Sequence, residues 1–165
     1  RAGHVSQIYT PQFVFSNREV RRWGQAGLIP RQLAAMKTDK APIGLHMSLE
    51  RKSASKVKIQ VDTEWLDDRY DSGVMSVVLF EDKLTQRVTA GENRGELLEH
   101  SRVVRQLLKP SPVSGSNRSH SVEVNIPAEW KQQHTGIGVI VESKESGTIL
   151  QALNAPNALR KCQSS

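Results

Sequence analysis

The chain has 165 residues, of which 23 are Lys or Arg and 17 are Asp or Glu, so its formal net charge is +6. That length suits roughly one to one and a half domains. The single Cys excludes an intrachain disulfide scaffold and a cysteine-based zinc site. No apolar run approaches the ~20 residues of a membrane-spanning helix.

The first 40 residues show no regular alternation of apolar and polar side chains. Residues 8–15 predict a short strand, in which Pro11 marks a strand start, an edge or a cis bond. Ser16 and Asn17 predict a turn, and Pro30 followed by good helix formers predicts a short helix. Because the chain starts at Arg1 rather than Met, we expect that a leader was removed or that a longer protein precedes it.

From residue 43 onward the apolar residues alternate with a period of two. Residues 43–49 and 57–61 predict a hairpin in which each strand has one buried face. The nearly continuous apolar run 74–80 predicts a central strand, and a loop rich in Pro, Ser and Gly is predicted at 110–117. Further short strands are predicted at 84–89, 122–126, 137–142 and 148–153.

Residues 96–108 fit either a helix or a strand, and we favour a strand for the second half, 103–108. About seven short strands then follow residue 43, separated by turns about every 8 to 12 residues, which is typical of an antiparallel sandwich. The predicted fold class is mainly β (α+β overall), with a β-sandwich-like region. The tail at 156–165 is predicted to be loosely ordered.

Charged residues are grouped along the chain, with basic stretches at 18–40 and 51–58 and an acidic stretch at 62–71. Nucleic-acid sites combine a basic face with stacking aromatics, but the basic stretches contain only Trp23. We therefore favour a solvated basic face. The acidic stretch lacks the Gly and terminal Glu of a calcium loop, and the His residues lack paired spacing, so we predict no metal and no cofactor.

The most unusual local cluster is Glu92, Asn93 and Arg94 between two glycines, with His100 and Arg105 downstream. As chemistry, it would be an anion or carboxylate pocket with an arginine fork. As structure, it is a tight turn in which Asn93 caps its own backbone, and we prefer this second interpretation. The sequence contains no Gly-x-Ser-x-Gly elbow, phosphate loop or dinucleotide fingerprint.

Three segments carry a resemblance to a known family. The first is Tyr9-Thr10-Pro11-Gln12, followed by Asn17-Arg18-Glu19 and Trp23. The second is Glu81-Asp82-Lys83-Leu84, which leads into Ala90-Gly91-Glu92-Asn93-Arg94-Gly95 and then Leu98, His100 and Val103-Val104-Arg105. The third is Leu150-Gln151-Ala152-Leu153, followed by Cys162. In order and spacing they resemble the uncharacterised bacterial secreted family DUF 1223, whose members have a thioredoxin-like fold. The match runs through nearly the whole chain.

The resemblance implies a thioredoxin-type half with a Cys-x-x-Cys motif, followed by an added β-rich region. This sequence has no Cys-x-x-Cys, so it is similar to the C-terminal two thirds of such a protein. Thr10-Pro11 would be the cis-proline turn facing the dithiol, where free backbone groups can pair with an extended peptide. A proline that merely starts an edge strand is the alternative. The implied units are a thioredoxin-like remnant at 1–41, a sandwich-like domain at 42–155 and a tail at 156–165.

We therefore expect an exported, periplasmic or secreted module, non-catalytic as this chain, that binds a protein or an extended peptide. Its candidate binding residues are Thr10, Pro11, Glu92, Asn93, Arg94, His100 and Arg105. The alternative is a thiol–disulfide oxidoreductase whose Cys-x-x-Cys lies outside this chain, with Cys162 as a structural partner for an upstream Cys. Nucleic-acid binding through residues 18–58 ranks third.

Overall fold

The computed structural model describes residues 14–15, 18–22, 24–38 and 40–161. Strands predominate over helices in the described residues and the sheets are antiparallel, so the predicted mainly β fold class is confirmed. The N-terminal elements are β1 (Val14–Phe15), β2 (Arg18–Glu19) and α1 (Leu28–Thr38). Then come β3 (Ile43–Ser53), β4 (Lys56–Trp65), β5 (Ser72–Glu81), β6 (Leu84–Arg87), β7 (Leu97–His100), β8 (Val103–Leu107), β9 (Ser111–Ser114), β10 (Ser119–Asn125), β11 (Thr135–Ser143), β12 (Ile149–Ala155) and α2 (Ala158–Lys161).

The N-terminal part contains the predicted helix and the end of the predicted strand. Strand β1 pairs with β2, whereas residues 8–13 of the predicted strand lie outside the described residues. Helix α1 begins two residues before Pro30. Proline is tolerated there because the first four N–H groups of a helix have no intrahelical acceptor.

Three strands form the small sheet, in the order β10-β4-β3. The predicted hairpin is confirmed, since β3 pairs with β4 with Leu49 opposite Ile59. Along β4 the side chains alternate between buried and partly exposed, so Val57, Ile59 and Val61 are at most 2% exposed. The period of two seen in the sequence therefore marks the core face of this sheet.

Five strands form the large sheet, with β5 at its centre as predicted. Strand β11 lies on one side of β5 and is followed by β12, while β8 and β9 both pair with the other side of β5. Strands β8 and β9 together therefore form one edge of this sheet. Strands β6 and β7 pair with each other as a separate hairpin.

The two sheets share one hydrophobic core. It contains Val57, Ile59 and Val61 from the small sheet together with the inward side chains of β5 and β11 in the large sheet. Gln151 of β12 donates to the carbonyl of Ile43 in β3 at 3.4 Å, which joins the two sheets along one side. Two antiparallel sheets around a common core make a sandwich.

Three expectations differ from the structure. The predicted 110–117 loop contains strand β9, because Pro112 lies at a sheet edge where no N–H donor is required. Both halves of 96–108 contain a strand, β7 in the first half and β8 in the second, whereas the sequence favoured a strand only in the second half. Within the predicted loose tail at 156–165, residues 158–161 form α2 and Leu159 is 2% exposed within the core, whereas residues 162–165 lie outside the described residues. Burial of that leucine stabilises the chain end.

Candidate functional site

The sequence-predicted binding residues occupy three separate places. Thr10 and Pro11 lie outside the described residues. Glu92, Asn93 and Arg94 are exposed at the tip of the β6–β7 hairpin. The tip is closed by backbone bonds from Arg94 N to Gly91 O (3.1 Å) and from Gly95 N to Val88 O (2.9 Å), with both glycines at positive φ. This is the geometry of a tight turn, as preferred from the sequence.

His100 and Arg105 lie away from that tip. His100 is opposite Leu84 at the base of the hairpin, four residues from Glu96, which is ~13 Å of extended strand. Its Nε2 is buried without a hydrogen-bond partner among the described residues. Arg105 is in β8, where it contacts Glu81. The structure does not bring these five residues together in one pocket.

Arg105 neutralises a buried carboxylate. Its Nη1 lies 2.9 Å from Oε2 of Glu81, whose side chain is 1% exposed. The N–H direction does not meet hydrogen-bond geometry, so the contact is an ion pair. The other carboxylate oxygen, Oε1, accepts a bond from the backbone N–H of Lys131 at 2.7 Å. The guanidinium also lies 5.3 Å from the ring centroid of Trp130, within cation–π range.

A β-bulge puts Arg105 in that position. Leu79 pairs with Gln106 and Phe80 pairs with Val104, so Arg105 is the extra residue in β8. Bulges change the direction of a side chain relative to the regular alternation. Arg105 therefore has a structural role at the end of β5. No local sequence motif could predict this role, because it depends on the bulge in the pairing of β8 with β5.

A cleft of about 500 Å³ lies between the two sheets. That volume lies within the ~300–1,000 Å³ that is typical of ligand pockets. Its floor consists of core side chains from β4 and β5, and its rims are the β8–β9 edge and β10. The lining residues are Ile59, Val61, Met75, Val77, Leu108, Lys109, Pro110, Ser111, Pro112, His120, Ser121 and Val122.

The cleft is open because the core face of β10 is only partly covered. Val122 is directly opposite Ile59 and His120 is opposite Val61, so both share the core face of the small sheet. Val124, further along the same face, is 3% exposed, whereas Val122 is 38% exposed. The core face of β10 is therefore open at Val122, where it borders the cleft.

The outer edge of β10 carries backbone groups that no other strand uses in the described part of the chain. Thr63 N donates to Arg118 O at 2.8 Å, and Ile126 N donates to Ser55 O at 2.7 Å. Hydrogen-bonded pairs recur at every second residue of an antiparallel ladder. The even-numbered residues of β10 therefore point their N–H and C=O groups at β4. Those of residues 119, 121, 123 and 125 point away from the sheet.

The opposite rim is closed to strand addition. Gly115 N donates to Asp71 O at 3.2 Å, so by the same alternation residues 112 and 114 direct their backbone groups outward from β9. Pro112 has no N–H, and Ser114 N already donates to Asn117 O at 3.4 Å. Edge prolines are a known barrier to strand pairing. Of the two rims, only β10 offers a row of usable backbone groups.

The rims of the cleft carry basic side chains. Lys109 and His120 line it, and no Asp or Glu is among the described residues that do so. Asp62 of β4 interacts electrostatically with His120 but belongs to the outer face of the small sheet. The sequence alone did not predict this cleft, because the cleft depends on the pairing of β10 with β4, which places Val122 on the same face as Ile59.

The basic stretch at 51–58 is engaged in contacts within the chain. Arg51 donates to Gln132 Oε1 at 3.1 Å and to the Leu159 carbonyl at 3.0 Å. Lys52 pairs with Glu50, and Lys56 Nζ lies 3.6 Å from Glu123. Lys52 and Lys56 therefore neutralise nearby carboxylates, and Arg51 anchors α2.

The acidic segment 62–68 does not assemble a metal site. In the described part of the chain, no group of three or more His, Cys, Asp or Glu is placed to hold a metal ion. Asp67 binds Arg69 instead, with Nη2 at 2.6 Å from Oδ2 and the backbone N–H at 3.0 Å from Oδ1.

None of the described helices is long and apolar enough to cross a membrane.

The contact between Asp67 and Arg69 predicts a low carboxyl pKa. The Arg69 side-chain hydrogen bonds, followed by its backbone N–H, lower the pKa of Asp67 from 3.8 to about 2. The resulting contribution to stability is present above pH 3.8 and is lost as the pH falls through about 2. An NMR titration of Asp67 should give this value, and Arg69→Ala should raise the pKa towards 3.8. A wild-type pKa near 3.8 would contradict the assignment.

The similarity to one solved structure supports the fold. HBP35 of Porphyromonas gingivalis is similar to this chain with a TM-score of 0.60 and 11% identity, over 82% of this chain and 46% of that one. The chain thus spans less than half the length of HBP35. A domain of the outer membrane lipoprotein Omp28 from the same organism gives a TM-score of 0.49 at 16% identity, over 72% and 89% of the two chains. The comparison with curated proteins gave no match.

A family model matches most of the sequence. The matched residues are 1–142, and the family is described as "Protein of unknown function (DUF1223)". They contain strands β1 to β10 and both rims of the cleft. By this match, the chain belongs to the DUF1223 family.

Proposed function

We propose that this chain is a protein- or peptide-binding module that adds an extended peptide to the free edge of β10. The observation that carries the proposal is the row of outward backbone groups at residues 119–125, next to an open apolar cleft. Backbone pairing would supply affinity, and the cleft would take alternate side chains of the added strand. The peptide would complete the small sheet and cover Val122.

The setting of the module is part of the same proposal. We propose an exported protein, periplasmic or secreted, in which residues 1–41 are the remnant of a thioredoxin-like unit and residues 42–155 are the binding domain. The support is the family resemblance of the segments around Thr10-Pro11 and Glu92-Asn93-Arg94. The exposed hairpin tip remains a second candidate contact for a protein partner, and an oxidoreductase with its dithiol outside this chain remains the alternative function.

The test removes one outward N–H from β10. Ser121→Pro eliminates the donor at the centre of the edge without breaking a bond to β4, and Ser121→Ala keeps it. The probe is a fluorescein-labelled Ser-Val-Ser-Val-Ser-Val-Ser peptide, read by fluorescence anisotropy. We expect saturable binding to wild type and Ser121→Ala, and a loss of about tenfold or more in Ser121→Pro, since one hydrogen bond and the strand fit are lost.

Two controls make the result specific. Ser-Val-Val-Ser-Ser-Val-Ser has the same composition without alternation and is expected to bind more weakly. In wild-type protein, amide hydrogen exchange should show new protection at Ser121 and Glu123 when the alternating peptide binds, whereas Val122 and Val124 are protected before binding. Equal affinity of the Pro and Ala variants, or no new protection at the outward amides, would reject strand addition at β10.

A further inference from the structure

The rim charges and the side-chain alternation of β10 together define a sequence preference. A strand paired with the outward groups of residues 119, 121 and 123 places its own residues opposite His120 and Val122. Those two ligand residues face the cleft, because opposite residues in an antiparallel pair share a face. The residue between them is opposite Ser121 and faces the outer side.

The two facing positions differ in their chemistry. The position opposite Val122 lies over the apolar floor formed by Ile59, Met75 and Val77. The position opposite His120 lies beside a basic side chain on the β10 rim, and Lys109 lines the opposite rim of the cleft. Lys109 and His120 are the basic side chains of the lining, and Asp62, on the other face of β4, interacts electrostatically with His120.

We propose that the ligand is a peptide segment with an apolar residue followed, two positions later, by Asp or Glu. This rests on the proposed strand addition at β10. The order follows from antiparallel pairing, in which the ligand runs from the Val122 side to the His120 side as β10 runs the other way. The intervening residue is unrestricted.

The test compares four acetylated and amidated peptides, so that no terminal charge contributes. They are Thr-Ser-Val-Ser-Glu-Ser-Thr, its Gln analogue in place of Glu, its Ser analogue in place of Val, and the reversed Thr-Ser-Glu-Ser-Val-Ser-Thr. We expect the first to bind about two- to fivefold more tightly than the Gln analogue, the range of an exposed ion pair. The Ser analogue should be weaker still, and the preference for Glu should shrink in 0.5 M salt, at which the Debye length is only about 4 Å.

Matched lysine variants locate the effect. Lys109→Gln should reduce the preference for Glu over Gln, because it removes the lysine cation that lines the cleft. Lys144→Gln, in the β11–β12 turn away from the cleft, should leave the preference intact. Equal binding of the Glu and Gln peptides, or tighter binding of the reversed one, would overturn this inference while strand addition stands. Failure of all the peptides, including the uncharged alternating probe, would reject the proposed function itself.

Discussion

Arg105→Ala is expected to lower the free energy of unfolding by about 3 kcal/mol, because it leaves the carboxylate of Glu81 buried without its counterion. The same substitution removes the guanidinium from the face of Trp130. Chemical denaturation of the purified variant measures the change. Arg94→Ala, at the exposed hairpin tip, is the matched control and should change stability by less than about 0.5 kcal/mol.

A double variant separates the loss of the pair from the loss of packing. Glu81→Gln combined with Arg105→Met removes both charges but keeps an acceptor for the Lys131 N–H and an aliphatic chain against Trp130. Since neutral replacements of buried pairs are often tolerated, we expect the double variant to be more stable than Arg105→Ala. If the free energy of unfolding of Arg105→Ala equals that of wild type, the ion pair does not stabilise the end of β5.

The second large effect is expected at Gly136 in β11. A Cβ at this position would lie 2.3 Å from Cζ and 2.6 Å from Cε2 of Phe80, and 3.0 Å from the Ala155 carbonyl oxygen. The ring has little room to move, because the guanidinium of Arg102 lies over it at 4.8 Å and is itself held by an ion pair with Asp82 (3.6 Å) and a hydrogen bond to Asn154 (2.7 Å). Gly136→Ala should therefore destabilise the protein by at least about 2 kcal/mol.

A compensating substitution tests that explanation. Adding Phe80→Leu to Gly136→Ala should recover part of the loss, so the two changes should be non-additive in denaturation experiments. Gly115→Ala is the control, because a Cβ there would meet only Trp65 at an ordinary 4.0 Å. Additive effects of the Phe80 and Gly136 substitutions would show that the ring is not the obstacle.

Elements with a strong local pattern could be predicted from the sequence. The alternation in 43–49 and 57–61 gave the β3–β4 hairpin, and the apolar run at 74–80 gave the central strand β5. Strand β9 was missed because its Pro and Ser composition is typical of loops. Only the pairing with β5 shows that Pro112 lies at an edge position that needs no donor.

The candidate site depended on contacts between distant parts of the chain. The cleft exists because Val122 shares a face with Ile59 while β9 closes the other rim, and neither fact has a local signature. The ion pair between Glu81 and Arg105 requires a β-bulge that no sequence motif predicts. The segment from Gly91 to Gly95, in contrast, was identified as a turn because its glycines and Asn93 act locally.

The proline in β9 also has a consequence for how copies of this protein meet. Since Pro112 closes that border, two molecules can join by main-chain pairing at the cleft only through β10. Dimerisation there and capture of a peptide would use the same atoms. A molecule with a bound peptide would therefore be unable to dimerise through β10. At high protein concentration, dimerisation of peptide-free molecules would compete with peptide binding.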